Sequence, residues 1–108
     1  METAGFEDFK KLEIKMAKIL EVNDHPDADR LYVVKIDIGG EERQIVAGIK
    51  LSYGKEELAG LMVPVITNLK PAVIRGVESQ GMLLAAHGAS GVSVLTCHRP
   101  VEAGSGVK

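Results

Sequence analysis

Cysteine and histidine are the side chains from which small domains most readily build reactive centres. This chain has one cysteine and three histidines. Cys97 and His98 are adjacent in sequence. Neighbours on a strand point to opposite faces, so they do not form a thiolate–imidazole pair; a buried or edge thiol beside a solvent-facing imidazole fits better. His25, His87 and His98 are widely spaced and no second cysteine completes a zinc set. The loop Asn23-Asp24-His25-Pro26-Asp27-Ala28-Asp29 is oxygen-rich and could attract calcium. It lacks the glycine and distal glutamate of a helix–loop–helix site, and a turn capped by Asx side chains is expected instead. Gly54-Lys55 is followed by glutamate, not Ser or Thr, and no spaced glycine precedes it, which excludes a nucleotide phosphate loop. Spacing therefore points to no catalytic residue, no metal and no cofactor.

The run Asn68-Leu69-Lys70-Pro71-Ala72-Val73-Ile74-Arg75-Gly76-Val77-Glu78-Ser79-Gln80-Gly81-Met82 carries a different chemistry. Lys70 and Arg75 can neutralise phosphates, while the amides of Asn68 and Gln80 and the hydroxyl of Ser79 can read base edges and 2′-hydroxyls. Gly76 and Gly81 let a backbone approach a ligand closely. The same residues would also make an ordinary polar loop with a solvated charge pair.

The elements flanking this run read mainly as β. Ile14, Met16, Leu20 and Val22 alternate with Glu13, Lys15 and Glu21, the period of a half-buried strand, and Lys18-Ile19 break the phase as a bend or bulge would. Tyr32, Val34, Ile36 and Ile38 form a second strand. Gly39-Gly40 links it to a third, Glu42–Ala47, as a hairpin. Leu61–Leu69 is apolar on both faces and reads as a fourth strand, with Pro64 predicting an edge or bulge. Met82–Ala86 and Val92–Leu95 flank a Gly88–Gly91 turn and complete the pattern. Gly54–Gly60 reads as a short helix with acids in its first turn, and Phe6, Phe9 and Leu12 mark an N-terminal turn or helix. Gly104-Ser105-Gly106 reads as a loose tail. Five or six short strands with one inserted helix predict an all-β chain closed into a small barrel, whole or partly open.

Composition agrees with one globular domain. The 108 residues are 45% hydrophobic and 26% charged, the balance of a folded soluble chain with a single core. No apolar run approaches the roughly 18 residues of a membrane span, so no membrane role is expected. The first residues hold neither a basic stretch nor an apolar segment, which predicts no secretory signal. One cysteine suits a reducing compartment such as the cytosol. The net charge of −2 excludes an indiscriminate polyanion binder. Its distribution is uneven: 13 acidic residues face nine basic ones up to Glu57, whereas four basic residues face two acidic ones beyond. Any anion-binding surface must be local.

The run from Asn68 through Ala86 resembles the signature of the tRNA-binding domain family. His25-Pro26-Asp27-Ala28-Asp29-Arg30-Leu31-Tyr32-Val33 is similar to that family's first-hairpin motif, and Val46-Ala47-Gly48-Ile49 to its third-strand motif. The likeness runs from about Phe9 to Arg99. Members include C-terminal domains of methionyl-tRNA synthetases, stand-alone tRNA-binding proteins, synthetase-associated cytokine precursors and CsaA-like export chaperones. The resemblance implies a single domain over residues 1–108, folded as a five-stranded OB barrel. One short helix would lie between strands 3 and 4 and another at the N-terminus. It implies tRNA as ligand, contacted by Asn68, Lys70, Arg75, Ser79, Gln80 and Met82, and a cytoplasmic homodimer working alone or beside methionyl-tRNA synthetase. Met82 would lie against a base or ribose, or else fill the core. Phe6 and Phe9 would serve the dimer interface, or else pack on their own barrel. Many relatives carry basic residues directly after the Asn-Leu-Lys-Pro run, where this chain has Ala72-Val73. Losing two phosphate contacts costs on the order of one to two decades of affinity.

Overall fold

The computed structural model describes residues 1–108 as ten short strands and two short helices. In chain order these are α1 (Phe6–Lys10), β1 (Ile14–Asp24), β2 (Tyr32–Asp37), β3 (Glu42–Ala47), α2 (Lys55–Leu58) and β4 (Met62–Ile66). There follow β5 (Ala72–Ile74), β6 (Val77–Ser79), β7 (Met82–Leu83), β8 (Ala85–Gly88), β9 (Gly91–Val94) and β10 (Gly106–Val107). No helix is long and apolar enough to cross a membrane.

The main sheet runs β3-β2-β1-β4-β7, antiparallel throughout. It curls until its ends meet. Gln80 N–H donates to the Gln44 carbonyl at 2.8 Å, and Gln44 N–H donates to Gln80 Oε1 at 3.1 Å, sewing β3 to the segment that enters β7. The curled sheet thus makes an OB-like barrel, as the resemblance implied, with the α2 helix between β3 and β4. Inside it Ile19, Val34, Ile36, Ile45, Val63 and Val65 are fully buried, and Leu58 of α2 joins them. These are mostly β-branched side chains, which pack well on a pleated wall.

β1 explains how one strand serves two partners. Its lower half pairs with β4 and its upper half with β2, and the β2 register shifts between Ile19 and Glu21. The bulge is where the sequence placed it, but its effect is larger than the alternation suggested. The inward face passes from Ile14 and Met16 to Ala17 and Ile19 and back to Val22, so Leu20 points to solvent.

Two expectations are corrected. Pro64 does not lie on an edge strand: it is buried between β1 and β7. Opposite it, Met16 bonds through its N–H and C=O to Ser105 and Gly104, so β1 asks no donor of Pro64. On its other side the Pro64 carbonyl accepts the Leu84 N–H at 3.1 Å, and the Leu84 carbonyl, which a Pro64 N–H would have met, takes the Leu95 N–H at 3.4 Å instead. Nor is the C-terminal stretch a loose tail. Gly104 N–H donates to the Met16 carbonyl at 2.7 Å, Met16 N–H donates to the Ser105 carbonyl at 2.8 Å, and β10 pairs with Ile14 and Lys15.

The β2–β3 turn is fastened by Asp37, whose Oδ1 accepts the N–H groups of Gly39 and Gly40, both at 2.9 Å. These two donors, Gly40 first, hold the Asp37 carboxyl below the usual range. A depressed folded value means that the ionised group stabilises the fold at neutral pH. That contribution is lost as the pH falls through the ordinary carboxylate range to the lowered folded value. Asp37→Asn should therefore melt lower than the parent at pH 7, with the gap closing as the pH falls below the ordinary carboxylate range. Thermal melts across that range check it; a gap that persists in acid would trace the loss to something other than charge.

Candidate nucleic-acid interface

The run singled out from the sequence folds as a hairpin, not as a loop. β5 and β6 pair Ala72 with Ser79, Val73 with Glu78 and Ile74 with Val77. Its two-residue turn is Arg75-Gly76, with φ of 51° and 88°. Positive φ at both central positions is the turn that suits a twisted hairpin, normally filled by Asn-Gly. An arginine there carries a steric penalty of about 1–2 kcal/mol. The Arg75 guanidinium reaches across to donate from Nη2 to the Asp27 carbonyl at 2.9 Å.

His25 holds the loop and hairpin together. It is only 5% exposed. Its Nδ1 accepts the Asp27 N–H at 3.0 Å, which leaves Nε2 to carry the proton donated to the Ile74 carbonyl at 2.9 Å. The imidazole, not an Asx side chain as expected, closes the turn after β1. Asp24 faces elsewhere, pairing with Lys50 and Lys55 at 3.1 Å each. Lys50 first and Lys55 second lower its carboxyl from the ordinary value.

The six residues picked out by sequence divide into two groups. Ser79, 4% exposed, has its hydroxyl engaged in the fold: it accepts the Val46 N–H at 2.9 Å and donates to the Gly81 carbonyl at 3.0 Å. Gln80 stitches the barrel seam as described. Asn68 accepts the Glu13 N–H at Oδ1 and donates from Nδ2 to the Lys11 carbonyl, both at 2.7 Å. It thereby ties the exit of α1 to the start of the hairpin. These three polar groups are spent on the fold. Lys70, Arg75 and Met82 are exposed, as Asn68 is, but Lys70 and Met82 make no side-chain hydrogen bond.

Lys70 and Met82 share the rim of one cavity of about 110 Å³, with Leu69 and Ala72 beside them. Met82 is half exposed and so does not fill the core. A neighbouring crevice of about 330 Å³, lined mainly by apolar residues including Val46, Ile49 and Leu84, also includes Met82. Arg75 lies at the far end of the hairpin and lines a separate cavity with Arg30. Sequence reasoning quoted Arg30 within a motif but gave it no role; the cavity it shares with Arg75, 45 positions on, is made by the fold. Phe6, Phe9 and Leu12 stay out of the core and, with Val107, border an apolar hollow of about 290 Å³.

Removing the Asn68 amide tests its tie. Asn68→Ala should cost about 1–2 kcal/mol, the worth of two partly exposed hydrogen bonds. Amide exchange should accelerate first at Glu13 and in α1. Denaturant titration with exchange read-out checks this, and unchanged protection of Glu13 would refute it.

The architecture is that of an OB-like all-β barrel with a cationic and apolar hairpin on its wall. The chain belongs to the family described as "Putative tRNA binding domain", whose model matches residues 14–106. Across all 108 residues it is 53% identical to the methionine–tRNA ligase of Thermococcus kodakarensis and covers 15% of that protein. It is 50% identical over the same span to that of Pyrococcus horikoshii, again covering 15%. The chain thus spans under a sixth of the length of these curated relatives. Among solved structures, a MetRS-related protein from Pyrococcus horikoshii superposes with a TM-score of 0.92 at 34% identity, covering both chains fully. The CsaA chaperone protein from Picrophilus torridus gives 0.92 at 28% identity, covering 98% of this chain and 100% of that one.

Proposed function

We propose that this domain is a non-catalytic module that binds folded tRNA by shape, acting as a homodimer in the cytoplasm alongside methionyl-tRNA synthetase. The observation that carries the reading is the joint placement of Lys70 and Met82 on one exposed rim of the family's signature hairpin. Lys70 attaches to phosphate through a salt-dependent contact, and Met82 lies against an unstacked base or ribose. Arg75 adds a second cation at the turn. Asn68, Ser79 and Gln80 belong to the same site as its supports, holding the hairpin at a fixed pitch on the barrel. Unpaired, bent nucleotides fit such a short, partly apolar surface better than a regular duplex, whose phosphates need a longer basic track. Phe6 and Phe9 supply the interface between two copies, and pairing presents two hairpins to one tRNA, raising avidity. The large apolar crevice beside Met82 and the likeness to a CsaA structure support a second reading, a holder of unfolded chains.

A salt-titrated gel shift with tRNA against an RNA duplex of equal length separates the two. Two phosphate contacts per protomer predict a log–log slope of about −1.4 to −1.8 and a preference for tRNA. Equal binding of duplex, or no tRNA shift at low salt together with suppressed aggregation of an unfolded client, would favour the holder.

A further inference from the structure

We infer that Arg30 and Arg75 together clamp a single phosphate of the RNA backbone, at the opposite end of the hairpin from Lys70. This rests on the tRNA-binding reading above. The two side chains line one open cavity of about 360 Å³ between the 27–31 loop and the β5–β6 turn. Asp27 and Asp29 line it too, yet no ion pair joins either arginine to either carboxylate; the ion pairs of the protein lie elsewhere. Arg75 commits one N–H to the Asp27 carbonyl, which aims its fork and leaves the remaining donors free. Arg30 is exposed with its guanidinium unengaged.

Three features make the pair a built site. Arg75 occupies a left-handed position that an asparagine or glycine would hold without strain, so the turn keeps a cation at steric cost. The buried His25 bonds to both Ile74 and Asp27, tying the loop that leads to Arg30 to the strand that leads to Arg75. A planar guanidinium fork matches two phosphate oxygens, and two forks can hold all the free oxygens of one group. Asp27 and Asp29 bring the cavity to formal neutrality, so the site relies on the two guanidinium forks and not on net charge. Arg75 lies five positions beyond Lys70, up to about 16 Å along an extended chain, so the two cationic points hold different phosphates of one bent strand.

The test uses the full chain and tRNA in gel shifts over a range of salt. Arg30→Gln should weaken binding about five- to tenfold at about 0.1 M salt with the melting temperature unchanged. Arg75→Gln should do the same, and the double variant should lose little more than either, with a total slope change of about 0.7–0.9 because one phosphate is shared. Additive losses with twice that slope change, or an Arg30→Gln variant that binds like the parent, would overturn the clamp. Lys70→Gln distinguishes the levels: if it flattens the slope while Arg30→Gln does not, tRNA binding stands and the clamp falls. If the parent binds no tRNA, the underlying reading falls. Inorganic phosphate alone should leave the arginine side-chain resonances unmoved up to about 1 mM. Saturation below that would make free phosphate the ligand and overturn the RNA assignment.

Discussion

Alanine at Gly39 should destabilise the barrel by about 2–5 kcal/mol, the largest loss expected from any single methyl group in this chain. Two independent costs add. Gly39 has a φ of 97°, where a side chain is strained by about 1–2 kcal/mol. A Cβ there would also lie 2.9 Å from Gly104 Cα and 3.0 Å from the Ala103 carbonyl oxygen. Both neighbours are backbone, so no flexible side chain can yield, and overpacking of this kind costs about 1–3 kcal/mol. The segment that must give way is 103–107, which would lift from Met16 and from Ile14. At about 4–8 °C per kcal/mol for a domain of this size, the melting temperature should fall by at least about 8 °C. Gly104→Ala meets Gly39 Cα at 3.1 Å from the other side, so the double variant should lose less than the sum of the two. A loss under about 0.5 kcal/mol for Gly39→Ala would show that the two turns do not pack against each other.

Reversing both exposed cations of the hairpin, Lys70→Glu with Arg75→Glu, should lower tRNA affinity about a hundredfold or more at about 0.1 M salt. Each reversal removes a charge-assisted contact of about 1.5 kcal/mol or more, and the pair amounts to about 3 kcal/mol, two decades. The salt dependence should flatten by about 1.4–1.8 in log–log slope. Folding should survive, because Lys70 makes no bond within the protein and Arg75 makes a single exposed one. An unchanged slope would mean that the polyanion lies on another face. A collapsed melting temperature would instead assign the loss to structure, and Lys70→Gln alone then decides.

The barrel was legible because buried strands announce themselves by alternation, and Val34, Ile36 and Ile45 keep that alternation faithfully. It failed where backbone events change the phase. The extra residue at the β1 bulge turned Leu20 outward, against its apolar type. Pro64 was expected at an edge or a bulge because sequence shows a missing donor but not whether another N–H takes its place. The β5–β6 hairpin escaped notice because Arg75-Gly76 lacks the Asn-Gly that usually marks such a turn. The C-terminal pairing escaped because Gly-Ser-Gly looks flexible wherever it falls, and only its contact with Gly39 and Met16 fixes it. The site was legible as a set of names, not as a set of directions. A motif identifies Asn68, Ser79 and Gln80 without saying that their polar atoms face Lys11, Val46 and Gln44 of the same chain. Arg30 needed the fold itself, since nothing local to it points to a partner 45 positions on.

The turn at Arg75 sets durability against capture at one residue. Replacing it by asparagine relaxes the backbone by about 1 kcal/mol and hardens the hairpin against heat. The same exchange erases a positive charge from the surface. On the tRNA-binding reading proposed above, selection for heat resistance and selection for ligand retention pull this position in opposite directions, and a variant library screened on thermal survival alone would enrich for proteins that endure but bind RNA more weakly.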